Sequence, residues 1–327
     1  MARPSPGAKA TWTVVVPTHL GGARLERLLD SLAVQTQPAR TIVVDNASRG
    51  DVAELVARHE FAEHFRLEKN VGFGRAVNLA AARTTDDALV LVNDDCVCEP
   101  RFVEKLVAAL DPASGVIMAA GVLVAAQHAG TVDTAGMELD DTLLVFDYLN
   151  GSDAASVGAG TPAPTGPCAA AAAFDAAAFA DIGGFDENLF AYWEDVDLVL
   201  RLVRAGGRCA LAAEARGVHE HSATLGSGSR EKNYLMGFGR GYVLRKWSVL
   251  KSPRRLARAL VEDGVICAGQ AVLDRTAAGI RGRRDGFAAA AAVAPLPYPA
   301  AVLRGNPTMS DTLARRLRRR SRLSRRS

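Results

Sequence analysis

The sequence has few cysteines, no long apolar run and little net charge. Five cysteines in 327 residues form an odd set with no framework spacing, which argues against a disulfide-stabilised fold and favours a reducing compartment. Cys96 and Cys98 have no second pair nearby, so a zinc site is not expected. A formal net charge of +3 argues against a strongly basic nucleic-acid-binding protein.

A membrane-spanning segment is not apparent either. A span needs about 20 predominantly apolar residues, and the nearest candidate, Phe287–Leu303, is interrupted by three prolines. Residues 1–10 contain no apolar core of the kind that a secretory signal requires. We therefore expect a cytoplasmic protein, and one that is peripheral on the inner face of the cell membrane if it contacts a membrane.

The composition is otherwise that of an ordinary soluble globular protein. Hydrophobic residues make up 49% of the chain and charged residues 23%. A chain of 327 residues suffices for one large domain with an appendage. The pattern predicts an N-terminal tail at residues 1–10, a main domain at 11–250, and a helical, basic C-terminal extension at 251–327.

Short apolar segments alternate with helical patterns through the first hundred residues. Predicted strands end near Val16, Val44, Leu67 and Val92, and each is followed by a polar turn. Helical spacing fills the intervals between them. The alternation predicts an α/β fold with a Rossmann-like, mostly parallel sheet flanked by helices, whose ligand binds beyond the carboxyl ends of the strands. After residue 110 the pattern is less regular, with a strand predicted at 116–124 and an irregular hairpin at 131–147.

Two adjacent carboxylates follow the most apolar of these strands. The run Leu89–Val92 leads through Asn93 into Asp94 and Asp95, and an unbroken apolar run is typical of a strand covered on both faces. At the edge of the sheet the two acids could hold a divalent cation and a diphosphate together. They could equally form a polar turn, and these residues alone leave both possibilities open.

An ordered set of motifs resembles the family 2 glycosyltransferases, which are inverting enzymes with the GT-A fold. The motifs are Val15-Val16-Pro17-Thr18, Val43-Val44-Asp45-Asn46-Ala47-Ser48, Asn70-Val71-Gly72-Phe73-Gly74-Arg75-Ala76-Val77-Asn78, Asn93-Asp94-Asp95, Gly183-Gly184-Phe185-Asp186-Glu187, Glu194-Asp195-Val196-Asp197-Leu198 and His219. Within the family the chain is most similar to bacterial rhamnosyltransferases, which use dTDP-rhamnose in cell-wall or surface-polysaccharide synthesis. The resemblance implies a nucleotide-sugar donor, a glycan or polyprenyl-linked acceptor, and Mg²⁺ or Mn²⁺ as cofactor.

The resemblance also assigns residues to the donor and the metal. In such enzymes the last aspartate of a DxD-type motif ligates the metal, which here is Asp95, and Asp94 would contact the ribose or the metal shell. Asn93 stands where many relatives have aspartate, which removes one negative charge. The other implied donor-binding residues are Pro17, Thr18, Asp45, Asn46, Arg75 and Asn78. Of these, Arg75 could instead be a solvated helix residue.

Asp195 is the general base that the resemblance implies, with Glu194 as the second candidate. The helix dipole alone also favours a carboxylate at a helix start, so the match of Trp193-Glu194-Asp195 to the family motif carries the assignment. His219 stands at the position of the family's metal-binding histidine, and imidazole is a suitable ligand beside carboxylates. His221 competes with His219 for that role.

Arginine is concentrated at the C-terminal end of the sequence. Eight arginines follow Thr312 with almost no acidic residue to offset them. A block of like charge is usually a solvated end, but it could also attach the protein to an anionic membrane surface. We favour the second interpretation, because the apolar stretch Phe287–Leu303 lies just upstream and the acceptor could be lipid-linked.

The predicted function is inverting, metal-dependent transfer of a sugar, rhamnose from dTDP-rhamnose, to a glycan or lipid-linked hydroxyl. Galactofuranosyl or other UDP-sugar transfer is the alternative within this class. A nucleotidyltransferase would need a glycine-rich, basic loop directly after the first strand. Gly21-Gly22 with Arg24 matches that pattern only weakly. A non-catalytic sugar-nucleotide-binding protein would lack the acid pair or the base, and both are present.

Overall fold

A computed structural model describes residues 10–220 and 228–300, which form two compact units. The first unit takes the described residues of Met1–Met137 and Asp147–Leu225. The second takes those of Glu138–Phe146 and Gly226–Ser327. The domain boundary that the sequence predicts at residue 250 stays a prediction.

The strands of the described residues have three to twelve residues, and most belong to one sheet. They are β1 (Trp12–Thr18), β2 (Arg40–Asp45), β3 (Ala62–Arg66), β4 (Ala88–Val92), β5 (Cys96–Cys98), β6 (Val116–Ala125), β7 (Val132–Thr134), β8 (Met137–Leu139), β9 (Val145–Asp147), β10 (Ala171–Asp175) and β11 (Arg208–His219). The helices of the first unit are α1 (Ala23–Ala33), α2 (Val52–Ala57), α3 (Phe73–Ala81), α4 (Phe102–Ala108), α5 (Ala176–Asp181) and α6 (Glu194–Arg204). Those of the second unit are α7 (Arg230–Lys246), α8 (Pro253–Leu273) and α9 (Ala278–Ala289).

The main sheet has the order β3-β2-β1-β4-β10-β6-β11-β5, with β7 beside β6. Strands β3, β2, β1 and β4 are mutually parallel, as are β6 and β11. Strand β10 runs antiparallel to both of its neighbours, and β5 runs antiparallel to β11. The predicted α/β fold is confirmed, and its parallel character is strongest in the first four strands.

The core of the first unit follows from the apolar pattern of the sequence. All five residues of β4 are buried, as expected for a strand with helices on both faces. Helix α1 turns one side inward through Leu25, Leu28, Leu29 and Leu32. Burying each such side chain stabilises the folded state by about 1.5–3 kcal/mol. The polar residues at the sheet edge therefore stand on a well-packed core.

Two strands that the sequence pattern did not predict position the site. Strand β11 contains Glu214 and Arg216 and has a register irregularity between Leu211 and Arg216, so it lacks a clean apolar alternation. Strand β5 has only three residues. Strands β11 and β5 pair in antiparallel fashion, which places His219 opposite Cys96. Cys96 directly follows Asp95 in the sequence, so His219 lies beside the acid pair.

The second unit is a helical assembly with close packing between α7 and α9. Glycines allow the two helices to approach, since a Cβ atom at Gly282 would overlap the carbonyl oxygen of Tyr234. Within the described ranges, no helix is both long enough and apolar enough to cross a membrane.

Candidate active site

Polar residues of the first unit gather where its strands end. Thr18 ends β1, Asp45 ends β2, and Asp94 and Asp95 follow β4 in the turn to β5. His219 is the last residue of β11. Because β1, β2 and β4 are parallel, their carboxyl ends lie along one edge of the sheet, which is the usual ligand site in this class of fold.

His219 lies between two carboxylates. Its Nε2 atom is 3.2 Å from Oδ1 of Asp95, and its Nδ1 atom is 2.7 Å from Oδ2 of Asp133 on β7. All three side chains are buried or nearly so. Burial lowers the pKa of His219, but the carboxylates of Asp133 and Asp95 outweigh burial and raise it to about 9.

The side-chain atoms of Asp95 and His219 are suitable ligands for a hard divalent cation. Oδ1 of Asp95 is buried and accepts no hydrogen bond from the described residues, although it lies within ion-pair distance of His219. Carboxylate oxygen and imidazole nitrogen are ligands that Mn²⁺ accepts. The Cys96 thiol is also close, but burial raises its pKa well above the usual range, which disfavours the thiolate that would bind a cation. Asp95 and His219 therefore fit a metal, and Asp133 fits behind the histidine.

Asp94 is attached to the end of the first strand. Its Oδ2 atom accepts a hydrogen bond of 2.5 Å from the Thr18 hydroxyl, which in turn accepts one from the backbone N–H of Gly21. Burial raises the pKa of Asp94 to about 6 against the effect of Thr18, and the charge of Asp95 adds to the increase. Thr18 thus orients one member of the acid pair and leaves the other facing His219.

Asp45 is fully buried, and its carboxylate is engaged within the protein. It accepts hydrogen bonds from the backbone N–H of Ser48 and from Arg66, and His64 lies 3.2 Å away. Burial raises the pKa of Asp45, but the hydrogen bonds from Ser48, His64 and Arg66 together lower it by more. The pKa of Asp45 is therefore below its ordinary value. Asp45 is therefore a firmly ionised group at the end of β2, beside Pro17 and Thr18 of β1.

Two asparagines of the predicted donor site hold neighbouring loops. The side-chain amide of Asn46 accepts from the N–H of Val71 and donates to the carbonyl of Gly72. The amide of Asn78 pairs in the same two-way manner with the backbone of Phe185. These bonds give both residues a structural role, and their contact with the nucleotide stays a prediction.

Arg75 lies on α3 and is 53% exposed, with its Nε atom 3.3 Å from Glu187. This ion pair joins two of the predicted motifs on the protein surface. A half-exposed guanidinium is free to exchange this partner for a ligand at little cost, because exposed ion pairs contribute only about 0–1 kcal/mol. The predicted role of Arg75 at the donor site stays a prediction.

Glu194 and Asp195 begin helix α6. The two preceding residues, Tyr192 and Trp193, have positive φ angles of 66° and 72°, which turn the chain sharply into the helix. Burial raises the pKa of Asp195 to about 6, partly offset by the N–H of Val196. Burial and the charge of Asp195 raise the pKa of Glu194 further, and Oε2 of Glu194 has no hydrogen-bond partner among the described residues.

One backbone segment lies near both the α6 acids and the strand-end acids. The backbone of Ala169 lowers the pKa of Asp195. The next carbonyl, that of Ala170, accepts from the N–H of Asn93, one residue before Asp94. Residues 169–170 are thus next to the candidate base on one side and to the turn that carries the acid pair on the other.

Residues 13–132 match the family model described as glycosyl transferase family 2. In this part the chain is similar to family 2 glycosyltransferases. The N-acetylglucosaminyl-diphospho-decaprenol L-rhamnosyltransferase of Mycobacterium tuberculosis (strain CDC 1551 / Oshkosh) is 27% identical over 246 residues, which cover 65% of this chain and 77% of the relative. The predicted enzyme class, a glycosyltransferase resembling rhamnosyltransferases, is confirmed.

Solved structures share the fold. GalNAc-T7, with UDP, GalNAc and Mn²⁺, superposes with a TM-score of 0.58 at 15% identity, over 85% of this chain and 54% of that one, so the match spans about half of its length. A Pyrobaculum calidifontis mannosyltransferase, in complex with GDP-Man and Mn²⁺, gives a TM-score of 0.52 at 19% identity, over 91% of this chain and 79% of that one. The predicted GT-A fold is confirmed by these likenesses.

Asp133 was missing from the predicted site. It lies in the stretch that the sequence predicts as an irregular hairpin, and no motif marks it. Glu220 was missed as well, and it pairs with Arg24 and Arg27 of α1 beside the end of β11. His221, the competitor of His219, lies outside the described residues, as does the Arg-rich segment Leu313–Arg326.

Proposed function

We propose that the chain is an inverting, metal-dependent glycosyltransferase that moves rhamnose from dTDP-rhamnose to a hydroxyl of a glycan or polyprenyl-linked acceptor. The observation that carries the proposal is the 3.2 Å approach of Asp95 to His219 at the carboxyl edge of the sheet. A base candidate, Asp195, is influenced by the backbone of Ala169, and the neighbouring carbonyl of Ala170 accepts a hydrogen bond from Asn93, just before the acid pair. Cell-wall or surface-polysaccharide synthesis is the pathway class that fits such a reaction.

The chemistry asked of Asp95 and His219 is to hold a divalent cation. A bound Mg²⁺ or Mn²⁺ stabilises the charge that develops on a diphosphate leaving group. Asp95 contributes a carboxylate oxygen and His219 its Nε2 atom, while Asp133 keeps the histidine ring in place from the other side. We assign the two former residues as ligands.

Asp195 is assigned as the general base. It takes the proton of the acceptor hydroxyl as the acceptor oxygen bonds to the anomeric carbon and the bond from that carbon to the diphosphate breaks. A single displacement of this kind inverts the anomeric configuration. The raised pKa of Asp195, about 6, leaves it ionised at neutral pH yet basic enough to accept a proton. Glu194 has the higher pKa and is the neutral partner of the pair.

The donor's nucleotide is assigned to the ends of β1 and β2. Pro17, Thr18 and Asp45 lie there in parallel register, and Asp94 is fixed by Thr18. Asn46, Arg75 and Asn78 complete the proposed pocket. The choice of dTDP-rhamnose is supported by the mycobacterial relative, whose name describes it as an L-rhamnosyltransferase.

We further propose a cytoplasmic enzyme that is peripheral on the inner face of the membrane. The support is the block of arginines in Leu313–Arg326, which is suited to anionic lipid. Deletion of the residues after Ser310 should then weaken the binding of the protein to anionic vesicles, and binding that persists unchanged would argue against a role for this segment.

The test is calorimetric titration of four donors, dTDP-rhamnose, UDP-galactofuranose, UDP-glucose and GDP-mannose, first in Mn²⁺ and then in chelator. We expect selective binding of dTDP-rhamnose that is lost in chelator and in Asp95→Asn. Asp181→Asn, on an exposed residue of α5, is the matched control and should bind as the native chain does.

The other outcomes separate the alternatives. Preference for UDP-galactofuranose or UDP-glucose would keep the mechanism and replace the donor. Donor binding without transfer to any hydroxyl acceptor would favour a non-catalytic sugar-nucleotide-binding protein. Binding that survives both chelator and Asp95→Asn would overturn the proposed metal site.

A further inference from the structure

Helix α8 exposes apolar side chains along most of its length. Its exposed face consists of Leu260, Val261, Val265, Ala268, Val272 and Leu273, which we call the α8 face. Val272 is 74% exposed and Leu260 is 66% exposed. From Ala257 to the end of the helix, none of its exposed residues carries a charge. An ordinary surface helix has the opposite arrangement.

The charged residues in the middle of α8 point into the second unit instead. Glu262 accepts hydrogen bonds from Thr142 and Arg258, and Arg258 also contacts Asp140 and Asp141. The next residue, Asp263, is also ion-paired, with Arg240 of α7 and Arg283 of α9. These buried ion pairs fix the orientation of α8, so its apolar side is held outward by the packing of the unit.

An apolar groove continues from this face. It has a volume of ≈ 490 Å³ and is lined on the α8 side by Leu256 and Leu260 and on the α9 side by Ile280 and Phe287. Arg284 stands at the groove with its side chain 79% exposed. Exposed apolar surface on this scale marks an interaction site in a soluble unit.

The most exposed charges in the segment that contains the α8 face are positive. Between residues 247 and 300, the exposed charged residues are Lys251, Arg254, Arg275, Arg281 and Arg284. The acidic residues of the same stretch are buried or partly buried, and Asp285, with its side chain 31% exposed, is ion-paired with Arg284. Arg254 precedes Val261 by seven residues, which puts it on the same side of the helix as Val261, Val265 and Val272.

We propose that the α8 face docks on the surface of an anionic phospholipid bilayer. The valine and leucine side chains enter the region between headgroups and acyl chains, and the flanking arginines bind lipid phosphates. A second copy of this chain fits less well, because it would bring two rims of positive charge together. The contact is distinct from the Arg-rich segment and requires neither donor nor metal, so its test is independent of the proposed transfer reaction.

The experiment is sedimentation of the full chain with vesicles. We compare pure phosphatidylcholine with a mixture in which roughly one third of the lipid is phosphatidylglycerol. The native chain should bind the anionic vesicles more tightly, and added salt should weaken that preference. Val272→Asp, which puts a carboxylate in the α8 face, should lower the partition coefficient roughly tenfold.

Val34→Asp is the matched control. Val34 follows α1 in the first unit and is 62% exposed, so the change has the same chemistry at a comparable exposure. It should bind vesicles as the native chain does. Arg254→Gln should reduce binding to the anionic vesicles and leave binding to neutral vesicles unchanged. Circular dichroism and thermal unfolding check that each variant is folded.

Three results would overturn the proposal. The first is that Val272→Asp binds vesicles as tightly as the native chain, and the second is that Val34→Asp loses binding to the same extent as Val272→Asp. The third is that, in sedimentation velocity without lipid, the native chain is an oligomer and Val272→Asp is a monomer. That result would assign the α8 face to a second copy of the chain.

Discussion

The Nδ1 atom of His219 lies 2.7 Å from Oδ2 of Asp133, and its Nε2 atom faces Asp95 on the opposite side. The carboxylate of Asp133 fixes the ring orientation, and it would hold the remaining proton on Nδ1 when a cation takes the place of the proton on Nε2. This is the arrangement by which an outer carboxylate strengthens a histidine ligand. It makes Asp133 a positioning residue for the proposed metal site.

Asp133→Ala should weaken Mn²⁺ binding by roughly 10- to 100-fold. Asp133→Asn keeps a hydrogen-bond acceptor but loses the charge, so its effect should be smaller. The measurement is calorimetry with Mn²⁺ alone, before any donor is added. Asp153→Asn, on an exposed residue of the same loop region, should leave the affinity unchanged. An unaltered affinity in Asp133→Ala would remove Asp133 from the metal site.

Asp195→Asn should lower kcat by roughly 10²- to 10⁴-fold, the usual range for loss of a general base. Donor binding in Mn²⁺ should remain, because Asp195 lies at the acceptor side of the proposed reaction. Transfer rates and calorimetry on the same preparation separate the two effects. Glu194→Gln provides the comparison, since a larger loss of kcat in that variant would reverse the two roles.

The pH dependence of transfer follows from the same carboxylate. A general base acts only when ionised, and burial raises the pKa of Asp195 to about 6. Activity should therefore fall as the pH drops through about 6, well above the ordinary range of an aspartate. The measurement is kcat/KM across that range, with the apparent pKa assigned to the Glu194–Asp195 pair. A profile that stays flat down to the ordinary aspartate pKa would contradict the assignment.

Gly72 precedes α3 with a φ angle of 88°, and a Cβ atom there would collide with the carbonyl oxygen of Phe190. Gly72→Ala should therefore lower the free energy of unfolding by about 1–3 kcal/mol from its positive φ angle alone, and by more through the collision. Urea unfolding measures the change. Gly160→Ala is the control, because nothing lies within 4 Å of its Cβ position. Equal effects in the two variants would contradict this account.

The sequence predicted the strand ends better than the contacts between them. The apolar run of β4 predicted a buried strand, and the acids that follow it lie at the sheet edge as expected. The pairing of His219 with Asp133 depends on β7 and β11, which are separated from each other in sequence and have no regular pattern. The amides of Asn46 and Asn78 look alike as motif residues, yet both are bound to backbone groups that only the folded chain brings near them.

Glu194 should reduce stability once it is ionised. Burial and the charge of Asp195 raise its folded pKa above the ordinary value of 4.5, so the folded state holds the proton more tightly than the unfolded state does. The stability linked to this proton is complete below the unfolded pKa and is lost as the pH rises towards the folded pKa. Glu194→Gln keeps the neutral shape without titrating. Its free energy of unfolding relative to the native chain should therefore increase between pH 5 and 8, the upper limit being the pKa of about 8 that Glu194 reaches in the fold.

Urea unfolding at both ends of that pH range measures this difference. Glu54→Gln is the matched control, since Glu54 also lies in the first turn of a helix, α2, but is exposed. Its stability relative to the native chain should not change with pH in this interval. A difference for Glu194→Gln that is equally flat would mean that the buried carboxyl holds its proton no more tightly in the fold than in the unfolded chain. In that event Asp195 would no longer have a neutral neighbour at working pH, and the division of roles between the two acids would have to be abandoned.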